Sequence, residues 1–454
     1  MTDLNRELPQ MQSWVTSAND PACGFSLGNL PYCAFRHADG SAHVGVGIGS
    51  FVLDLHALSA KGHLDLLEDG VAQACREPHL NDLMRCGPAA WSELRKTLTA
   101  SLHASASDEI RASLAERLFA VDDVRFTLPV SVSNYTDFYA SIEHATNVGR
   151  LFRPDQPLLP NYMYVPIAYH GRASSLVLSG EPIRRPWGQT KAPTEQPPTF
   201  RASSQLDYEL EVGAYVGLGN PLGTTIPVAS AEQHIFGFCL LNDWSARDIQ
   251  SWEYQPLGPF LGKNFGTSLS PWVVALEALA PFRVPRAARP AGNPEPLDYL
   301  DDGSPETSSA IEMTLEVYLS TARMRAASLP PVRLSRCNLR DLYWSFAQMI
   351  AHHTSNGCNL VPGDLLGSGT VSGSAAGSEG SLLEITRRGQ SRIELSNGEA
   401  RGFLEDGDEI ILRGYCERPG VPRVSLGECR AIIEPARPYA LPEARERSLN
   451  LINS

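Results

Sequence analysis

Eleven residues, Leu206-Asp207-Tyr208-Glu209-Leu210-Glu211-Val212-Gly213-Ala214-Tyr215-Val216, begin by alternating apolar and acidic side chains. A period of two is that of a β-strand, and it puts Glu209 and Glu211 on the same face. Neighbouring carboxylates repel, and burying them uncompensated is expensive. They need either bulk water or a cation in front of them. An isolated E-x-E is more often the solvated face of an antiparallel sheet. The rest of the chain has to decide between the two readings.

The chain has 454 residues, more than one small core accommodates, so two domains are expected. The expected boundaries are 1–125 for an N-terminal structural or assembly unit and 126–454 for a catalytic unit. Glycine (37) and proline (34) are numerous and dispersed, which favours many turns and a mainly β, α+β fold over a helical bundle. A net charge of −13 argues against nucleic acid or an anionic membrane as principal partner. The nine cysteines are scattered without a C-x-x-C pair, so neither a disulfide framework nor a thiolate zinc site is indicated. Reduced thiols, no apolar run after Met1 and no apolar stretch near about 18 residues together lead to a cytoplasmic expectation with no membrane span.

In the first unit, Ala42 to Leu55 reads as short strands joined in a hairpin. Its Gly45-Val46-Gly47-Ile48-Gly49 run lacks the Lys-Ser/Thr of a phosphate loop and the spacing of a dinucleotide fingerprint. From Leu80 to Phe119 the spacing turns helical. In the second unit, Pro193–Pro198 and Val284–Ser309 read as linkers. Asn338 to His352 reads as a helix presenting Leu339, Leu342, Phe346 and Ile350. A late hairpin is expected over Arg401–Leu412, with its turn at Asp406-Gly407.

Three polar clusters interrupt apolar strands. In Tyr135-Thr136-Asp137-Phe138-Tyr139-Ala140-Ser141-Ile142-Glu143-His144, Asp137 offers an oxygen ligand and His144 a base; the plainer reading is an Asp capping a helix with a surface His. In Asn242-Asp243-Trp244-Ser245-Ala246-Arg247-Asp248, Asp243 closes an apolar strand, where ligand sites often lie, or starts the next helix. In Gly258-Pro259-Phe260-Leu261-Gly262-Lys263-Asn264-Phe265-Gly266, glycines let a lysine approach closely, or form an ordinary turn. Taken together, Asp137, Glu209, Glu211 and Asp243 are four hard oxygen donors, suited to Mg²⁺ or Ca²⁺ and not to zinc or copper.

These runs resemble the fumarylacetoacetate hydrolase (fumarylacetoacetase) family. The likeness is carried by Tyr135-Thr136-Asp137-Phe138-Tyr139, His144 to Gly149, Phe152-Arg153-Pro154, Tyr169-His170-Gly171-Arg172-Ala173-Ser174-Ser175 and Leu206 to Glu211. It continues through Asn242 to Gln250, Trp252-Glu253-Tyr254, Pro256 to Lys263 and Gly367-Ser368-Gly369-Thr370. The resemblance implies a small N-terminal β-barrel followed by a larger mixed β-roll, paired as a homodimer. It makes Asp137, Glu209, Glu211 and Asp243 the metal ligands, with Lys263 and Thr267 close by. His144 becomes the general base, oriented by Glu384. Tyr139, Arg153, Tyr169, Gln250, Tyr254 and Thr370 would hold a small anionic diketo acid, and Arg247, Gln250 and Lys263 would stabilise oxyanion charge. Ser374-Ala375-Ala376-Gly377-Ser378 departs from the more Pro- and Glu-rich loop of the family before Glu384.

The activity so implied is hydrolysis of a β-diketone carbon–carbon bond, at the last step of tyrosine and phenylalanine breakdown. A sister reading is an acylpyruvase or 2-keto acid hydratase with the same cup; a different class is a non-catalytic metal- or sugar-acid-binding protein. A pure binder has no need of a base such as His144 beside a metal.

Overall fold

The computed structural model describes residues 11–439, apart from 38, 66, 68, 69, 193, 195 and 303–309. The first unit is an antiparallel half-barrel of five strands in the order Leu118–Ala120, Phe51–Asp54, Ala42–Ile48, Tyr32–Arg36, Arg125–Thr127. Gly49, at φ +59°, turns the expected hairpin between Ile48 and Phe51, a conformation that costs glycine little. The helical pattern after Leu80 is realised as Asn81–Arg85, Gly87–Leu102 and Asp108–Ala115. It ends earlier than expected, because Phe119 lies in a strand paired with Val52.

The second unit is built on a mixed sheet. Its strands run in the order Ala168–His170, Tyr135–Phe138, Leu365–Gly367, Leu210–Val216, Ile235–Asp243, Thr267–Leu269, Leu176–Leu178. A second sheet of five strands, dominated by the hairpin of Glu409–Arg418 with Val421–Glu434, packs behind it. Leu210, Val212, Ala214 and Val216 enter the core shared with that second sheet, whereas Tyr215 faces the core shared with the first unit. Both faces of the strand are therefore covered. The two units are also stitched edge to edge by reciprocal backbone hydrogen bonds of 2.8 Å between Tyr32 and Val273.

The solvated-face reading of Glu209 and Glu211 is overturned: every residue from Leu206 to Val216 is buried. The strand is also interrupted at Tyr208 and Glu209, where Leu206–Asp207 leaves to pair with Ser245–Ala246. The expected helix from Asn338 begins only at Phe346, since Asn338 still belongs to a strand and Ser345 forms a capping box with Gln348. The Arg401–Leu412 hairpin does not form: Ala400–Arg401 pairs with Ile393–Glu394, and the long hairpin turns at Gly420. The expected linkers lie between paired strands, Trp187–Thr190 with Thr199–Ala202 and Arg283–Val284 with Ala310–Ile311. Pro193, Glu195 and 303–309 of those linkers lie outside the described residues.

Candidate active site

Three strands of the mixed sheet carry Asp137, Glu211 and Asp243, and Glu209 lies in the break just before Leu210. Tyr169 is registered opposite Asp137, Asp137 opposite Gly367, and Gly367 opposite Gly213, two residues from Glu211. On the next strand Asp243 is registered opposite Thr267. Gly367 leaves a gap between two carboxylates: a Cβ there would stand 2.5 Å from Asp137 Oδ1 and 3.0 Å from Glu211 Oε2. Glu209, in the break at Tyr208–Glu209, supplies the fourth carboxylate. One oxygen from each of Asp137, Glu209, Glu211 and Asp243 then lies within 4.8 Å of the others, and all four residues are buried. Asp137 lies within a strand, and Ser141 caps the following helix, so the helix-cap reading of Asp137 fails.

Lys263 reaches into this cup, donating to Glu209 and, over 2.7 Å, to Asp243 Oδ2. It is 6% exposed, which rules out the plain turn with a solvated lysine. Thr267 Oγ1 and Tyr169 OH donate to the two oxygens of Asp243 at 2.9 and 2.8 Å. Arg247 Nη1 donates to Glu209 Oε1 at 2.7 Å and to Gln250 Oε1 at 3.2 Å. Burial alone would raise Glu209, but Lys263 and Arg247 bring it down to about 2. Burial and then Asp137 and Asp243 push Glu211 well up; burial and Asp243 do the same to Asp137.

With all four carboxylates ionised, the cup would carry more negative charge than Lys263 and Arg247 offset. Asp137 Oδ1 and Glu211 Oε1 are buried with no hydrogen-bond partner among the described residues. Buried acceptors left unpaired cost roughly 1–3 kcal/mol each or more, so a missing positive group is indicated. The donors are all hard oxygens, and they fit a divalent cation.

Beside the cup stands a second buried pair. His144 Nδ1 lies 2.7 Å from Glu384 Oε2. Glu384 also accepts from Asn147 Nδ2 (3.0 Å), Ser372 Oγ (3.1 Å) and Ser381 Oγ (2.8 Å). Burial works to raise this carboxyl, but His144 and the surrounding donors hold it below its ordinary value. An ionised Glu384 can only accept, so Nδ1 carries a hydrogen, and in the neutral imidazole Nε2 keeps its lone pair. The imidazole is near enough to the cup to act electrostatically on Glu209, and Tyr139 packs edge-on against it at 5.4 Å. The Ser374–Ser378 departure leaves this pair intact: Ser372, just before it, both binds Glu384 and accepts from Gly380 N–H.

Of the remaining expected residues, Thr370 Oγ1 and Arg153 Nε are buried polar atoms without a partner among the described residues. Arg153 Nη2 donates to the Pro157 carbonyl at 3.2 Å, and its charge acts on Tyr139. Tyr254 is not drawn into the cup: its side chain is exposed and its hydroxyl accepts from Gln255 Nε2.

Asp207 was not among the expected site residues. Its carboxylate is fully buried, accepts Arg247 Nε at 2.9 Å, and takes the backbone N–H groups of Leu382 and Leu383 at 2.8 and 3.0 Å. Those amides start the short helix Leu382–Ile385 that carries Glu384, and Ser381 does not cap it. One side chain thus fixes both Arg247 and the Glu384 segment. Asn147, three residues from His144 on the same helix face, is the other omission, and that spacing could have found it.

The family model for the fumarylacetoacetate (FAA) hydrolase C-terminal region matches residues 133–432, and that for the fumarylacetoacetase N-terminal region matches residues 28–129. The fumarylacetoacetase of Rattus norvegicus is 45% identical over 429 residues, covering 93% of this chain and 99% of that protein. Those of Homo sapiens and Arabidopsis thaliana are each 44% identical, over 435 and 421 residues, covering 93% and 91% of this chain and 99% and 96% of theirs.

Proposed function

From the premise that the chain belongs to the fumarylacetoacetase family, we propose that it hydrolyses fumarylacetoacetate to fumarate and acetoacetate, the last step of tyrosine and phenylalanine breakdown. The observation that carries this reading is the His144–Glu384 pair standing beside a buried cup of four carboxylates.

Asp137, Glu209, Glu211 and Asp243 would hold the ion, Mg²⁺ or Ca²⁺ by their all-oxygen chemistry. When bound, it supplies Lewis acidity toward the diketone oxygens and accommodates enolate charge. The protein's own groups do the rest. Glu384 holds the imidazole with Nε2 free, and Nε2 takes a proton from water as its oxygen adds to the acyl carbon. The bond between that carbon and the neighbouring α-carbon then breaks, and its electron pair leaves as an enolate. The proton held on His144 passes to the α-carbon of that enolate, giving acetoacetate, and the hydroxylated acyl carbon becomes the new carboxyl group of fumarate. Lys263 spends two N–H groups on Glu209 and Asp243 and keeps a third for developing oxyanion charge. Donors of that kind are worth about 3–4 kcal/mol each in the transition state.

The unpartnered donors of Arg153 and Thr370, with Tyr139, are the groups that would bind the substrate carboxylates, which explains how an acidic protein takes an acidic substrate. Burial, followed by the charge of Glu384, keeps the Tyr139 hydroxyl protonated and so a donor. Gln250, held by Arg247 Nη1, closes the set in this reading. No helix among the described residues is long and apolar enough to cross a membrane, and none of the nine cysteines is in a disulfide. A cytoplasmic homodimer is the assembly we assign, with the first unit, whose sheet runs on to Thr127, as structural unit and the rest of the chain as catalytic unit. Supplying fumarylacetoacetate and Mg²⁺ and identifying the products by NMR tests the activity. Equal amounts of fumarate and acetoacetate are expected; an isomer or hydrate of the substrate would place the protein with the hydratases instead.

A further inference from the structure

A second group of metal-binding side chains lies in the N-terminal half-barrel. His37 follows the strand Tyr32–Arg36, His43 stands in Ala42–Ile48, and Asp54 ends Phe51–Asp54. Three consecutive inner strands of the sheet thus bring two imidazoles and a carboxylate together at their ends. His37 Nε2 and His43 Nδ1 lie 2.9 and 2.8 Å from the same oxygen, Asp54 Oδ2. One ligand atom from each residue lies within 4.8 Å of the others.

Asp54 is held rigidly. It is 1% exposed, and its other oxygen accepts the Ala57 N–H at the start of the helix Leu55–Ala60. The imidazoles are 22% and 14% exposed, so an ion arriving from solvent can reach them. A third imidazole, His56, stacks on His43 at 3.9 Å. Fumarylacetoacetate hydrolysis makes no use of any of these residues.

We infer that His37, His43 and Asp54 form a binding site for a divalent transition-metal ion of the Zn²⁺ class. Two imidazole nitrogens and one carboxylate oxygen are the donor set that borderline ions prefer, whereas Mg²⁺ and Ca²⁺ prefer the all-oxygen cup. Ligands at 2.0–2.2 Å in tetrahedral array stand about 3.3 Å apart, so small side-chain rotations convert the two observed contacts into ligand spacings. The ion would take the lone pairs of His37 Nε2 and His43 Nδ1, the hydrogens residing on the opposite ring nitrogens. Water would complete the shell. The consequence is a clip across three strands, on a different sheet from the acidic cup. The competing reading is that Asp54 simply accepts two imidazole N–H groups.

The test uses the full chain with its acidic cup saturated by Mg²⁺. Zn²⁺ is measured by equilibrium dialysis, and Co²⁺ by its visible ligand-field absorbance. One equivalent of either ion is expected, with His43→Ala and the more exposed His37→Gln each weakening binding at least tenfold. Both variants should keep wild-type turnover of fumarylacetoacetate. Absence of a bound equivalent, or equal uptake by wild type and both variants, would overturn the assignment. So would Zn²⁺ uptake that Glu211→Gln in the acidic cup abolishes.

Discussion

His144 and Glu384 lie 240 residues apart in the chain and meet at 2.7 Å in the interior. Neither could be buried alone at modest cost. Asn147, Ser372 and Ser381 fill the remaining acceptor positions of Glu384, so the imidazole is held in one orientation with Nε2 available.

Replacing that imidazole should therefore remove the base and little else. His144→Ala is expected to lower kcat by about 10²–10⁴-fold, the range of a positioned general base. Divalent-ion affinity, read by calorimetry, should change little, because His144 is not among the four converging ligands. Wild-type kcat in the variant would remove His144 from the mechanism.

Asp207 makes a different prediction, because it is a positioning residue. Asp207→Asn loses the charge that faces Arg247 and leaves the Leu382 and Leu383 amides sharing one oxygen. The expected loss is about 10–100-fold in kcat, with KM and ion affinity nearly unchanged, as for other partners that orient catalytic groups. Stability should also fall, by about 3–5 kcal/mol, since a buried guanidinium loses a partner. Destabilisation with kcat intact would leave Asp207 a purely structural role.

Glu384 makes a prediction about pH. Its folded-state pKa is depressed below the ordinary 4.5, so its stabilising contribution is fully present above pH 4.5 and is lost as pH falls through the folded value. The urea-midpoint gap between wild type and Glu384→Gln should be wide at neutral pH and narrow progressively below pH 4.5. A gap that widens on acidification would contradict the assignment of an ionised carboxylate.

Gly367 tests the shape of the cup. Gly367→Ala inserts a methyl group 2.5 Å from Asp137 Oδ1, which must move away from Glu211. Displacements of about 1 Å in a catalytic constellation cost on the order of 10²-fold, and kcat/KM should fall by that order, with weaker ion binding. Unchanged ion affinity and kcat/KM would show that the cup tolerates the gap being filled.

Much of this site is legible in residue order. The alternation around Glu209 and Glu211 reveals a strand, and Asp243 at the end of an apolar run marks its neighbour. What local pattern cannot show is burial. Whether the sheet meets water or a core depends on the first unit covering it, and that cover includes Tyr32 and Trp91 from far earlier in the chain, packed on Phe236 at 5.3 and 5.2 Å. Asp207 shares the alternating segment but escapes notice because its partners, Arg247 and Leu382–Leu383, are 40 and more than 170 residues away. The misplaced start of the Phe346–Thr354 helix has a local cause: apolar spacing continues backward through Leu342 and Leu339, but those residues belong to a 3₁₀ turn and a loop packed on the same core.

The most direct measurement is turnover of fumarylacetoacetate by protein stripped of divalent ions with a chelator, followed as loss of diketone absorbance. The stripped protein should be inactive, and one equivalent of Mg²⁺ or Ca²⁺ should restore turnover in wild type but not in Glu211→Gln. Full turnover by the stripped protein, or equal restoration in the variant, would contradict the convergence of Asp137, Glu209, Glu211 and Asp243 on a catalytic ion.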